Sequence, residues 1–141
     1  MLKQAKGKYF AAIDIGTNSF HLIIVKEDDN GSFKIVDRER EVMRLGSNSD
    51  KDFRFISPDE IEKAIDILTG FKKLSNKYKA KIRAVATSAV REAKNKNEFI
   101  SEVFNETGIV VETIDGKHEA KLIFLGAKKS AESFQEKSSL Y

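Results

Sequence analysis

Three segments of the chain combine hydroxyl, amide and charged side chains in spacings suited to phosphate chemistry. The first is Asp14-Ile15-Gly16-Thr17-Asn18-Ser19, where a carboxylate closes an apolar run and a tight turn of small donors follows at once. Gly16 permits close approach of the main chain to a ligand. The turn N–H groups, the Thr17 and Ser19 hydroxyls and the Asn18 amide could line a cup for phosphate oxygens. Asp14, beside that cup, suits a divalent cation held directly or through water. An ordinary hairpin turn, with Asp14 and Asn18 present for turn geometry, accounts for the same residues.

The second segment is Ala86-Thr87-Ser88-Ala89-Val90-Arg91-Glu92-Ala93, directly after a short apolar run. Ligands of open α/β sheets gather at strand ends of this kind. Thr87 and Ser88 offer hydroxyls and Arg91 a planar fork that matches phosphate. The competing reading is a helix start with a surface Arg91–Glu92 charge mix. The third segment is Ile114-Asp115-Gly116-Lys117-His118-Glu119-Ala120. A carboxylate near a phosphate site can orient or deprotonate an attacking water. Taken alone, Glu119 reads first as an acid complementing a helix N-terminus, and His118 as a solvated first-turn histidine. His21 alternates away from Phe20 and Leu22 and reads as structural or surface. Lys72, Lys73, Lys77, Lys79, Lys81 and Arg83 form a basic run without an acid. It could be a landing patch for a polyanion, but a solvated helix end explains it more simply.

A sheet must hold these segments. Residues 9–15 and 20–26 are apolar runs around a polar, glycine-containing turn, and read as a hairpin. Asp28-Asp29-Asn30-Gly31 is a second turn signal, and residues 33–45 fit a third strand with one polar face. Residues 46–55 are polar and loop-like. Ser57-Pro58-Asp59-Glu60 opens a helix, with Ser57 as cap, Pro58 in the first turn and Glu60 completing a capping box. Ile61, Ala64, Ile65, Leu68, Phe71, Leu74 and Tyr78 then give one apolar face. A strand at 82–86 follows, then a helix from Asn95 that Gly108 stops, with Phe99, Val103 and Phe104 facing inward. A β-branched strand at 109–114 and a last helix marked by Ala120, Phe124 and Ala127 complete the order βββαβαβα, with fraying after Ser130. This order predicts an α/β fold, a mixed five-stranded sheet with helices packed on it.

Composition bounds the possibilities. In 141 residues, 40% are hydrophobic and 33% charged, with net charge +3, which fits one folded domain rather than a disordered chain. The absence of cysteine excludes disulfides, thiol nucleophiles and cysteine-based zinc sites from this chain. It also fits a reducing cytoplasm. No apolar run approaches the ~20 residues of a membrane span. The basic start is followed by an apolar stretch cut by Asp14 and Asn18, unlike a signal peptide. A cytoplasmic location is expected, with neither membrane nor nucleic acid as a partner.

Together the segments resemble the Ppx/GppA family of exopolyphosphatases and guanosine pentaphosphate phosphohydrolases. Ala11-Ala12-Ile13-Asp14-Ile15-Gly16-Thr17-Asn18-Ser19-Phe20-His21-Leu22 is similar to that family's opening, which usually has Ser where this chain has Thr17. Arg44-Leu45-Gly46 resembles its next short motif. Ala84-Val85-Ala86-Thr87-Ser88-Ala89-Val90-Arg91-Glu92-Ala93, with Asn95 and Phe99 beyond, resembles the third. Asp115-Gly116-Lys117-His118-Glu119-Ala120 resembles the start of a Ser-Gly-x-Glu-Glu-Ala helix, with Asp115 in place of Ser and His118 in place of the first Glu.

The resemblance implies a ribonuclease H-like lobe of the actin, Hsp70 and sugar kinase superfamily. It implies that Gly16, Thr17, Asn18 and Ser19 form a first phosphate loop, and that Thr87, Ser88 and Arg91 hold more of the phosphate chain. It makes Glu119 the catalytic base and Asp14 an acid near a Mg²⁺ or Mn²⁺ ion. The activity implied is metal-assisted hydrolysis of a phosphoanhydride, releasing orthophosphate from inorganic polyphosphate or guanosine pentaphosphate, in a protein that is a homodimer when intact. The family's second phosphate loop, an Asp-x-Gly-Gly-Gly-Ser pattern, does not occur in these 141 residues. Residues 1–126 are therefore expected to be the first lobe and 127–141 the start of a connection to a second, in a truncated fragment that folds but has little activity alone. Two other functions share the features: a non-catalytic sensor of polyphosphate or guanosine polyphosphates, and an ATP-dependent kinase of the same superfamily. The Thr87 to Ala93 motif and Glu119 argue against the kinase.

Overall fold

The first apolar runs pair as an antiparallel hairpin, β1 (Lys8–Ile15) and β2 (Ser19–Glu27), in a computed structural model that describes residues 8–46 and 55–114. The register is regular, from Lys8 opposite Glu27 to Ile15 opposite Phe20. Strand alternation sends Ala11, Ile13 and Ile15 of β1 to the same face as Phe20, Leu22 and Ile24 of β2, and all six are buried. β3 (Phe33–Val42) adds antiparallel to β2. Its ladder slips by one residue where Ile24 faces Asp37 and Val25 faces Ile35, so Val36 is the extra residue of a bulge. The bulge separates two apolar contacts: Val36 packs on the main core, and Ile35 joins a satellite cluster of Val25, Phe33, Phe10 and Ile23 on the other face.

The capping box forms as the sequence predicts. Ser57 Oγ accepts from Glu60 N at 3.2 Å and Glu60 Oε1 accepts from Ser57 N at 2.9 Å, at the start of α1 (Pro58–Lys77). Ile61, Ala64, Leu68 and Phe71 bury the helix against the sheet. β4 (Lys81–Ala86) runs parallel to β1, and β5 (Val111–Thr113) runs parallel to β4. The sheet order is β3-β2-β1-β4-β5, a mixed five-stranded sheet. α3 (Lys96–Thr107) lies beside α1 and contributes Phe99 and Val103 to the core. Gly108 ends it in the left-handed region at φ 80°, a conformation that favours glycine. Lys72 Nζ of α1 donates to the Thr107 carbonyl there, fastening the two helices at one end.

Three details differ from the sequence reading. Phe104, read as facing inward, is 50% exposed, and only Phe99, Val103 and Thr107 of α3 are buried. One extra helical turn, α2 (Ser88–Arg91), lies between β4 and α3, so the described order is βββαβααβ. Four residues are too few for an apolar period to declare them. Asn95, read as a cap, has no side-chain cap bond. Its Oδ1 accepts from Ile56 N at 2.9 Å and its Nδ2 donates to Ile56 O at 2.8 Å, so a tertiary clamp takes the amide that local signals assign to the helix. The expected last helix at Ala120, Phe124 and Ala127, the tail after Ser130 and the lobe boundary at 126 lie outside the described residues.

A candidate phosphate site at one edge of the sheet

β1, β4 and β5 are mutually parallel, with Ile15 opposite Ala86 and Ala86 opposite Thr113. Their C-terminal ends therefore leave the sheet side by side, about 4.8 Å apart per strand step. The three segments singled out for phosphate chemistry are the continuations of those strands. The first two come together at this edge. The third begins here at Ile114, and Asp115, His118 and Glu119 lie outside the described residues. The basic run of α1 and β4 is at the far edge, since Lys81 begins the strand whose end bears Thr87. This favours its reading as a helix end over a contribution to the site.

The first turn is held by its carbonyls. Gly16 N donates to Ser19 O at 3.1 Å and closes the hairpin. A Cβ on Gly16 would stand 3.0 Å from that same oxygen, so close approach of main chain to main chain is what requires glycine here. Beyond β3, Met43 N donates to Asn18 O at 3.0 Å and Leu45 N to Thr17 O at 3.1 Å. The Arg44-Leu45-Gly46 motif thus has a structural task, with Leu45 buried beneath the turn it tethers. With both carbonyls engaged, the Thr17 and Asn18 N–H groups have no partner among the described residues. Both residues are exposed. Unpaired N–H groups on a fixed, exposed turn suit an oxyanion.

The second exit is anchored to the first, because Thr87 N donates to Ile15 O at 3.3 Å. Thr87 stands at the N-cap of α2 but its hydroxyl makes no cap bond, and Ser88 is exposed. Val90 and Ala93 are buried and fix α2 against the core. Arg91 Nη1 donates to Ile114 O at 3.2 Å and its Nη2 pairs with Glu92 Oε2 at 3.1 Å. The Arg91 side chain is only 31% exposed, so the predicted Arg91–Glu92 pair exists but the arginine is more than a surface charge. Two bonds orient the fork and leave its other N–H groups for a ligand.

Asp14 lies on the sheet face opposite the helices. Burial pushes its carboxyl above the ordinary carboxylate range, and the positive character of His21 draws it part of the way back. Its Oδ1 is buried without a hydrogen-bond partner among the described residues. An orphaned carboxylate oxygen at a phosphate site fits a divalent cation such as Mg²⁺. No cluster of three or more His, Cys, Asp or Glu able to hold a metal occurs among the described residues. Asp14 would supply a protein ligand to such an ion.

His21 points away from the helices, but the register sets it opposite Asp14, with its Nε2 3.0 Å from Ser19 Oγ. Reflecting the strands about Thr17 and Asn18 pairs position 14 with position 21.

The model of the Ppx/GppA phosphatase family matches residues 23–140. The chain belongs to the Ppx/GppA phosphatase family. Among proteins of known structure it is similar to an Aquifex aeolicus Ppx/GppA phosphatase, with 35% identity and a TM-score of 0.77, covering 89% of this chain and 41% of that one. It is also similar to an exopolyphosphatase from Cytophaga hutchinsonii, with 32% identity and a TM-score of 0.76, covering 86% of this chain and 39% of that one. A curated relative, the bifunctional 3-dehydroquinate synthase/phosphatase of Fusobacterium nucleatum, is 36% identical over 127 residues, 85% of this chain and 19% of that protein. The chain thus spans about two fifths of its solved Ppx/GppA relatives. Its five-stranded mixed sheet is the actin-like lobe that those structures share. No helix of the described residues is long and apolar enough to cross a membrane.

Proposed function

We propose that this chain carries the phosphate-gripping lobe of a phosphohydrolase that cleaves the terminal phosphoanhydride of inorganic polyphosphate or guanosine pentaphosphate. The observation that supports it is the convergence of the β1 and β4 continuations, with Ile114, the first residue of the third segment, on one sheet edge, where unpaired N–H groups, free hydroxyls and a braced arginine stand together. The relative named an exopolyphosphatase supports polyphosphate as the first substrate to test.

In this reading the Thr17 and Asn18 amides and the Ser19 hydroxyl bind the terminal phosphoryl group. Thr87, Ser88 and Arg91 bind the next phosphates, and their positive field stabilises charge on the transferred oxygens. Mg²⁺, when bound at Asp14, supplies further charge neutralisation on the phosphate oxygens. Glu119 accepts a proton from the lytic water as its oxygen attacks the terminal phosphorus. The bridging P–O bond breaks, orthophosphate leaves, and the shortened chain keeps the bridging oxygen.

The test is orthophosphate release by the intact two-lobed protein with Mg²⁺ and either substrate, alongside Glu119→Gln. Release that Glu119→Gln abolishes, with binding retained, supports the reading. Near wild-type turnover in Glu119→Gln overturns the role of Glu119. Tight binding of polyphosphate without any release by the intact protein favours a sensor instead.

A further inference from the structure

We infer that His21 is a positioning residue for the phosphate loop: its Nε2–H donates to Ser19 Oγ and turns the serine hydroxyl proton outward, toward the bound phosphate. This rests on the phosphate reading of that loop.

Three observations carry it. Ser19 Oγ and His21 Nε2 are 3.0 Å apart, and no other bond of the Ser19 hydroxyl occurs among the described residues. Ser19 and His21 share one face of β2, the face that carries Asp14, so the pair is directed to the site rather than the helix-packed core. Ser19 is also the first residue of β2, opposite Val42, and its carbonyl closes the Gly16 turn, so its main chain is fixed and the hydroxyl torsion is the freedom that remains.

The chemistry then selects one arrangement. A hydroxyl has one proton and two lone pairs. If Ser19 spends its proton on an unprotonated Nε2, it turns only lone pairs toward the substrate, and a phosphate oxygen is repelled. If Nε2–H is the donor, a lone pair is used and the hydroxyl proton is free for phosphate. The second arrangement also polarises the hydroxyl, since hydrogen bonds in a chain strengthen one another. The imidazole thus acts through Ser19 and never touches substrate.

The experiment is steady-state hydrolysis of polyphosphate by the intact two-lobed protein and four variants: Ser19→Ala, His21→Leu, His21→Gln and Ser19→Ala/His21→Leu, each with a thermal melt. Loss of one hydrogen bond to an anion corresponds to about tenfold or more in KM. Ser19→Ala and His21→Leu should each raise KM by about that factor, with a smaller change in kcat. The double variant should be no worse than Ser19→Ala, because both changes remove the same bond. His21→Gln, whose amide can donate from near the Nε2 position, should recover most of the loss. An unchanged KM in Ser19→Ala overturns the loop reading and this inference with it. A raised KM in Ser19→Ala with an unchanged KM in His21→Leu overturns the inference alone. If His21→Leu does not fold, His21→Gln decides: a melt like wild type with a KM as poor as that of Ser19→Ala also overturns it.

Discussion

Arg91 donates through Nη1 to the main-chain carbonyl of Ile114, 3.2 Å away, and so ties the turn after β4 to the residue that follows β5. The bond does two things. It points the guanidinium along the edge where the strands end, and it fixes the chain at the start of the segment that leads to Glu119. Arg91→Lys keeps the charge but loses the planar fork, so it should not substitute. We expect kcat/KM for polyphosphate to fall roughly 10- to 100-fold in Arg91→Lys, the worth of one charge-assisted bond, and further in Arg91→Ala. Steady-state kinetics check this. Wild-type efficiency in Arg91→Lys would show that only the charge matters.

Gly16→Ala tests the turn itself. The added methyl carbon meets Ser19 O at 3.0 Å, and that oxygen already accepts the Gly16 N–H. Main chain cannot rotate away as a side-chain tip can. We expect a loss of about 1–3 kcal/mol in stability, as for an overpacked site, together with weaker binding of tripolyphosphate. Denaturant titration and calorimetry on the same samples measure the two effects.

Asn95→Ala should destabilise without touching the site. Removing the amide leaves the Ile56 N–H and carbonyl both unpaired, and Ile56 is buried. Each stranded polar group costs about 1–3 kcal/mol, so a total near 2–4 kcal/mol is expected in urea unfolding. A change under about 0.5 kcal/mol would mean that water takes over both bonds.

Local signals were the legible part of this chain. The capping box at Ser57 and Glu60, the glycine that stops α3 and the hairpin about Thr17 and Asn18 each depend on residues within a few positions of one another. The edge that gathers the first two segments was legible too, because parallel strands following helices place their ends together. What could not be read depends on partners far along the chain. Asn95 clamps Ile56, Arg91 grips Ile114, and Met43 and Leu45 hold the turn from beyond β3. His21 is a middle case: its face follows from alternation, but its pairing with Ser19 needs a rotamer as well as a register. Gly16 follows the same rule: the sequence marks it for close main-chain approach, and its contact with the Ser19 carbonyl depends on how the turn folds back.

Asp14→Asn gives a prediction in pH. Burial raises the folded-state pKa of Asp14 above its ordinary value of 3.8, with His21 opposing the shift. In acid below that value both folded and unfolded chains hold the proton, and Asp14 contributes nothing to the pH dependence. As pH rises through it, the unfolded chain releases its proton more readily than the folded one, so ionisation costs stability until the folded-state pKa is passed. The amide of the Asp14→Asn variant has no proton to release. The variant should therefore melt higher than wild type near pH 7, and the gap should narrow as pH falls toward the ordinary aspartate value. Mg²⁺ should raise the wild-type melting temperature and leave the variant unchanged, since an ion that binds only the folded state stabilises it by mass action. A gap independent of pH would assign the stabilisation to packing rather than charge. An equal response of both proteins to Mg²⁺ would remove Asp14 from the metal site.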